Sequence, residues 1–238
     1  MSSHAALLEE ADLLKPRNRI LGGRPFPQGP VYEGLVIDDY FSLSVSKASN
    51  PKRSTLPAVA CFHAARKKYD HVGVLGSPEK DIVGSHHFKV AGAEVNSSDA
   101  ALSRGIVTVS APVQKWLSLA VLSLRSVALP ILSSALATRL AGNWTSVLLY
   151  RRCLTCLLSK LYANGSSAGT DPGDVFLLHR KAADEIVLAA VFSFVAASDV
   201  TRPVHSELFA TDASCGKGAI VARQITQSTA KTPWLTGD

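Results

Sequence analysis

The sequence predicts a mixed α+β chain, and three stretches carry that prediction. Residues 31–43 (Val31-Tyr32-Glu33-Gly34-Leu35-Val36-Ile37-Asp38-Asp39-Tyr40-Phe41-Ser42-Leu43) are an apolar run, two adjacent carboxylates and a second apolar run. Residues 112–163 and 174–198 turn helical and are largely apolar. Residues 207–221 return to a strand, a Gly-bearing turn and a strand. Val, Ile, Tyr and Phe pack well on a pleated surface and mark the strands.

Composition bounds the rest. The chain has 238 residues, 47% hydrophobic and 18% charged. It is long enough to bury a core and is not of disordered composition. The 25 Lys+Arg against 19 Asp+Glu give a net charge of +6, which favours anionic partners. The cysteines are Cys61, Cys153, Cys156 and Cys215, too scattered for a disulfide framework. A reducing, intracellular setting, cytoplasm or nucleus, follows as the expectation. Residues 1–14 carry Glu9, Glu10 and Asp12 among Ala and Leu, which predicts a short surface helix and no secretory signal. Arg125 and Pro130 interrupt the apolar residues 116–132, and residues 186–197 fall short of the ~20 a membrane span needs. Both read as buried helices, and no membrane partner is expected.

The first elements follow in order. Residues 15–30 hold four prolines, three glycines and three arginines and read as loop. In residues 31–43 the two Asp form a tight turn, because Asp tolerates turn geometry and bonds its own backbone. That gives a hairpin with two carboxylates at its tip. An oxygen-rich tip suits Mg²⁺, and an ordinary acidic turn has the same pattern. Residues 46–57 are loop. Residues 58–69 form an amphipathic helix ending in Arg66-Lys67-Lys68, a solvated basic end. Residues 71–75 read as a short strand. Residues 88–95 and 106–109 read as two strands of a second hairpin with a long loop. His86-His87 point to opposite sides of a strand and form a surface pair rather than a metal site.

From Pro112 the pattern is helical. Residues 113–129 end at Pro130, and helices over 131–140 and 144–162 are split by Gly142-Asn143. Cys153 and Cys156 form a CxxC without a second pair or a suitably spaced His, so they read as two small core residues. Residues 164–173 are a Gly/Ser/Asp linker, 174–198 are helical, and strand begins after 204. The five segments are therefore 1–30, 31–110, 111–163, 164–203 and 204–238.

These motifs resemble those of a known family. Ile37-Asp38-Asp39 resembles the metal-binding hairpin of a reverse-transcriptase palm. Thr211-Asp212-Ala213-Ser214 with Gly218-Ala219 resembles the first strand pair of a retroelement ribonuclease H domain. Between them, residues 89–95 resemble the hairpin after the palm, and residues 107–115 the strand and helix start that follow it. The order agrees over roughly residues 31–225, with a DIRS-like retrotransposon polymerase the closest type.

The resemblance implies a partial palm over 31–110, a helical thumb or connection, and the start of a ribonuclease H-like domain after 204. It implies RNA-directed DNA polymerase chemistry on a template-primer or hybrid duplex. Mg²⁺ would be held by Asp38 and Asp39 for polymerisation and by Asp212 for strand cutting. Two departures stand against activity. The family's palm has a further metal-binding Asp on an earlier strand. Of the 37 residues before Asp38, Asp12 is the sole Asp, in a helical context. Pro27-Gln28-Gly29 resembles the family's nucleotide-site motif but lies too close to the hairpin. The nuclease has further acids downstream, and only 26 residues follow Asp212. The expectation is a fragment that is inactive alone. A non-catalytic nucleic-acid-binding remnant and a helical interaction protein are the alternatives.

Overall fold

The computed structural model describes residues 3–21, 27, 29–37, 39–46, 56–167, 171, 173–213 and 218–236, with the backbone alone for 164–167, 211–213 and 232–236. The chain is α+β with small antiparallel sheets. It forms two compact units, Met1–Ser85 with Arg202–Asp238, and His86–Thr201. The stretch 164–173 falls within the second unit.

In the first unit, α1 (Ser3–Glu10) precedes the hairpin of β1 (Tyr32–Val36) and β2 (Asp39–Leu43). Helix α2 (Pro57–His71) follows. Leu8, Leu13, Leu14 and Ala65 make a small core here, with Leu35, Tyr40, Cys61 and Tyr69 packed against it. Ser42 Oγ donates to the Ala58 carbonyl at 2.8 Å, tying β2 to the first turn of α2. The strand expected over 71–75 does not form. Helix α2 runs on to His71, and Gly73 then turns the chain at a φ of +75°. Two of the three cations at the basic end of α2 are matched internally, and Lys67 is exposed. Arg66 pairs with Asp70 and Asp81, and Lys68 with Glu10.

The second unit opens on β3 (His87–Val90) and β4 (Ala93–Asn96). Residues 88–95 are thus a hairpin in themselves rather than one strand. The turn is Ala91-Gly92, with both φ values positive, +49° and +78°. This two-residue turn matches the twist of the flanking strands, and glycine supplies one of its two left-handed positions without strain. A short helix α3 (Asp99–Leu102) leads to β5 (Thr108–Ser110). Strand β5 pairs with β4 and, at its other edge, with β8 (Ala197–Asp199). The sheet order is β3-β4-β5-β8. Asp199 Oδ1 accepts the Val107 N–H at 3.2 Å, fastening the end of the unit to its beginning.

The helices supply the core. Helix α4 (Val113–Val127) starts at Pro112 and stops before Pro130, where the ring forbids continuation. Residues 131–133 were expected to be helical, but β6 (Ile131–Ser133) pairs with β7 (Val175–Leu177). Helix α5 (Ser134–Leu148) is capped by the Ser133 hydroxyl, which accepts the Leu136 N–H. Leu148 leads into a 3₁₀ segment, Leu149–Leu158, broken at Arg151 (φ −141°, ψ 76°). Helices α6 (Ser159–Ser167) and α7 (Arg180–Phe192) complete the unit. Trp144, Leu140, Leu148, Leu158, Leu161 and Ile186 lie at the centre. The Trp144 indole N–H finds the buried Ser123 hydroxyl on α4 at 2.8 Å. Helix α4 was expected to be buried, but Leu117, Val121 and Leu124 stay exposed along one face. No helix of the described residues is long and apolar enough to cross a membrane.

In the remainder of the first unit, β9 (Glu207–Ala213) and β10 (Gly218–Gln224) form an antiparallel hairpin, followed by α8 (Gln227–Thr236). Leu208, Phe209, Ile220 and Val221 on this hairpin are all exposed.

Two predictions follow from these elements. Helix α5 passes through Gly142-Asn143 without the expected break, and a methyl on Gly142 would meet open space. Gly142→Ala is therefore expected to raise stability by ~0.5–1 kcal/mol in urea unfolding; a loss would mean the helix does break there. The second concerns Glu94, whose carboxylate bonds His87 at 2.6 Å and the Val113 N–H, the first of α4, at 3.1 Å. The His87 contact, aided by Val113 and opposed by burial, holds the Glu94 carboxyl below its ordinary 4.5. A depressed carboxylate adds stability above its unfolded pKa and loses it as pH falls through the folded one. Amide protection of β3–β5 should drop as pH falls below 4.5, and Glu94→Gln should flatten that drop.

Candidate functional site

The hairpin predicted around the Asp pair is present. Val36 and Asp39 pair across its end, so Ile37 and Asp38 form the two-residue connection. Asp39 opens β2 and is exposed. Asp38 lies outside the described residues. Ile37 is 86% exposed and sits at φ +61°, a costly position for a β-branched side chain. The pairing on both sides of the turn holds it there.

Behind the tip stands Glu33, a residue that no motif in the sequence singles out. Glu33, on β1, is 1% exposed. Its Oε1 accepts the Tyr40 hydroxyl at 2.7 Å and the Leu14 N–H at 3.2 Å. Its Oε2 accepts the Asn18 Nδ2 at 2.8 Å. The backbone joins the same residues, since Ile20 N–H donates to the Glu33 carbonyl and Glu33 N–H to the Asn18 carbonyl. Arg19 thereby bridges Glu33 in parallel, donates through Nε to the Leu14 carbonyl and pairs with Glu9. Residues 13–20, of which 15–20 were expected as plain loop and 13–14 as the end of a helix, form part of the wall around this carboxylate.

Two glycines let the wall close. A methyl on Gly34 would fall 2.3 Å from Phe41 Cζ, whose ring covers that strand position. A methyl on Gly29 would fall 1.9 Å from Asn18 Oδ1. The Pro27-Gln28-Gly29 stretch thus has a packing role at Gly29; Gln28 lies outside the described residues. The electrostatics agree with the geometry. Burial, the bond to Glu33 and its charge push the Tyr40 phenol far up. Burial first, then the Glu33 charge, push up the Cys61 thiol. Both groups stay protonated beside the carboxylate.

Chemically, Glu33 is a hydrogen-bond hub. Three donors occupy its oxygens and its side chain is buried, so its oxygens are already committed. Among the described residues no group of three His, Cys, Asp or Glu side chains is placed to hold a metal. Asp39 is the single described, exposed carboxylate at the tip, and one carboxylate does not make a two-metal clamp. Of the three carboxylates that the resemblance assigns to Mg²⁺, only the Asp39 side chain is among those the structure describes. Asp212 lies on β9 opposite Ala219, described by its backbone alone.

Two other expectations meet the structure differently. His86-His87 is a surface pair, with His87 bonded to Glu94. Cys153 and Cys156 are exposed rather than core, because the 3₁₀ segment turns Leu158 inward and the cysteines outward. Comparison with protein-family models, with curated proteins and with solved structures gave no match.

The Glu33 hub makes a local prediction. Tyr40→Phe keeps the ring but removes one donor from a buried carboxylate. It is expected to cost about 1.5–3 kcal/mol. Hydrogen exchange should show it as faster exchange at the Leu14 and Glu33 amides, with the second unit unchanged. Unaltered exchange at those two amides would mean that the phenol does not support the carboxylate.

Proposed function

We propose that the chain is a fragment of an RNA-directed DNA polymerase with the beginning of a ribonuclease H domain, binding hybrid duplex and inactive as a polymerase by itself. One observation carries the binding. Residues 100–170 contain seven Lys and Arg (Arg104, Lys115, Arg125, Arg139, Arg151, Arg152, Lys160) and no Asp or Glu. All seven are exposed, and among the described residues none is in an ion pair. Lys115 and Arg104 bond only neutral oxygens, of Ser146 and of the Ala100 backbone. In the first unit Lys15, Arg19, Arg66 and Lys68 each have an acid, while others, such as Arg17 and Lys67, have no ion pair among the described residues. Cations left unneutralised over a helical region fit a phosphate backbone, which is held by charge and shape. The order of elements supports the same reading: an Asp-tipped hairpin, a second hairpin, a helical region, then a strand pair bearing Asp212.

Fluorescence anisotropy with a labelled RNA–DNA hybrid tests the binding. With about four phosphates engaged, the slope of log affinity against log salt should be about −3 to −4. Replacing Arg151 and Arg152 by Ala should make it shallower by about 1–2. Absent or salt-independent binding would sink the proposal. Primer extension on an RNA template, with Asp38→Asn as control, should give no product; template-dependent extension by the wild type would overturn the inactivity.

A second reading, a helical interaction protein, is favoured by the exposed Leu117, Val121 and Leu124 on α4. Protection of α4 amides by a protein partner, and not by the hybrid, would select it.

A further inference from the structure

We propose that Cys153 and Cys156 are a surface dithiol that closes to a disulfide by exchange with low-molecular-weight, anionic disulfides of the glutathione class. Both thiols are exposed. They lie three residues apart in the 3₁₀ segment Leu149–Leu158, after the break at Arg151. In 3₁₀ geometry, side chains three apart eclipse, separated by about 6 Å along the axis. That is inside the Cα separation that a disulfide spans, about 4.4–6.8 Å. The Cys156 thiol already donates to the Cys153 carbonyl at 3.1 Å, so its sulfur lies back over the residue it would bond. Arg151 and Arg152, exposed and directly before Cys153, draw an anionic disulfide to the spot.

The other cysteine whose side chain is described differs on each count. Cys61 is half-buried, and burial together with the Glu33 charge keeps its thiol protonated. It is the slow thiol of the three cysteines described.

The exchange has two steps, and its atoms balance. Cys153, its proton released to water, attacks one sulfur of the small disulfide. A mixed disulfide forms and one small thiol leaves. Cys156, losing its proton in turn, attacks the Cys153 sulfur and releases the second small thiol. The two protein thiols give up two protons and two electrons, and the small disulfide becomes two thiols. Closure cross-links the 3₁₀ segment between α5 and α6, next to Leu148 and Leu158 of the core.

The full chain is exposed to oxidised glutathione, quenched with acid, alkylated and digested with trypsin. Cleavage after Arg152 and Lys160 places both cysteines in the peptide 153–160, apart from Cys61 and Cys215. The native protein should yield this peptide unalkylated and lighter by two hydrogens. Its ratio of closed to glutathionylated peptide should exceed that of the urea-unfolded chain at least tenfold. Cys156→Ser should instead stop at one glutathione on Cys153. Oxidised glutathione should outpace the cationic disulfide cystamine at low salt, and lose that lead at high salt. A ratio no higher in the native protein than in urea, or a stable double glutathione adduct, would overturn the dithiol. A cystamine lead at low salt would overturn the preference for anionic disulfides.

Discussion

Much of the first unit depends on keeping one carboxylate out of water. Glu33 sits on the inner face of β1 with almost no exposure. A buried charge is costly unless hydrogen bonds replace its hydration. The replacements come from three separate segments: the backbone after α1, the Asn18 side chain, and Tyr40 on the return strand. Each must be in place for the others to be satisfied, which couples α1, residues 13–20 and the hairpin into one object. The Leu14 φ of +53° is part of the same arrangement, since it belongs to the residue whose N–H meets Glu33. Gly29 and Gly34 have no Cβ at the two places where the wall comes closest. The acidic tip is therefore carried on a rigid support whose own carboxylate faces away from solvent.

The second unit uses its acids in a related way. Glu94 meets the first N–H of α4. Glu185, from α7, accepts the N–H groups of Lys160 and Leu161 at the start of α6. A carboxylate suits a helix N-terminus because the unpaired N–H groups there carry partial positive charge. Asp199 holds backbone on both sides of the β5–β8 pair. These acids are spent on backbone, and residues 100–170 contain none to spare. The cations of residues 100–170 face solvent without an acidic partner among the described residues. The basic surface is a consequence of where the acids are needed, as much as of how many cations there are.

The sequence was legible wherever local chemistry decides the outcome. The β-rich runs on either side of the Asp pair gave the hairpin, although Asp39 stands in β2 rather than in the turn. Pro112 and Pro130 bound α4 because a proline ring restricts the backbone on both sides of it. The order of hairpins and helices was also readable. It failed where a tertiary partner overrides a local signal. Gly142-Asn143 looked like a break, but Trp144 and Leu140 are held in the core on either side and the helix runs through. Residues 131–133 looked helical and became strand because residues 175–177 were there to pair with them. The CxxC looked like core because its neighbours are Leu. Arg151 breaks the helical phase just before it and rotates both cysteines out.

By itself, the sequence determined the α+β class, the first hairpin and the proline-bounded helix α4. These follow from residue type and near neighbours, which a chain carries with it. Only the tertiary structure decided that Glu33 is the carboxylate the first unit is built around, and that its oxygens are already committed. No spacing rule singles it out, because its donors lie 7, 15 and 19 residues away. Tertiary packing likewise decided which cations stay unpaired and which cysteines meet solvent. Burial and pairing over such distances are properties of the folded chain, since folding alone brings the partners together.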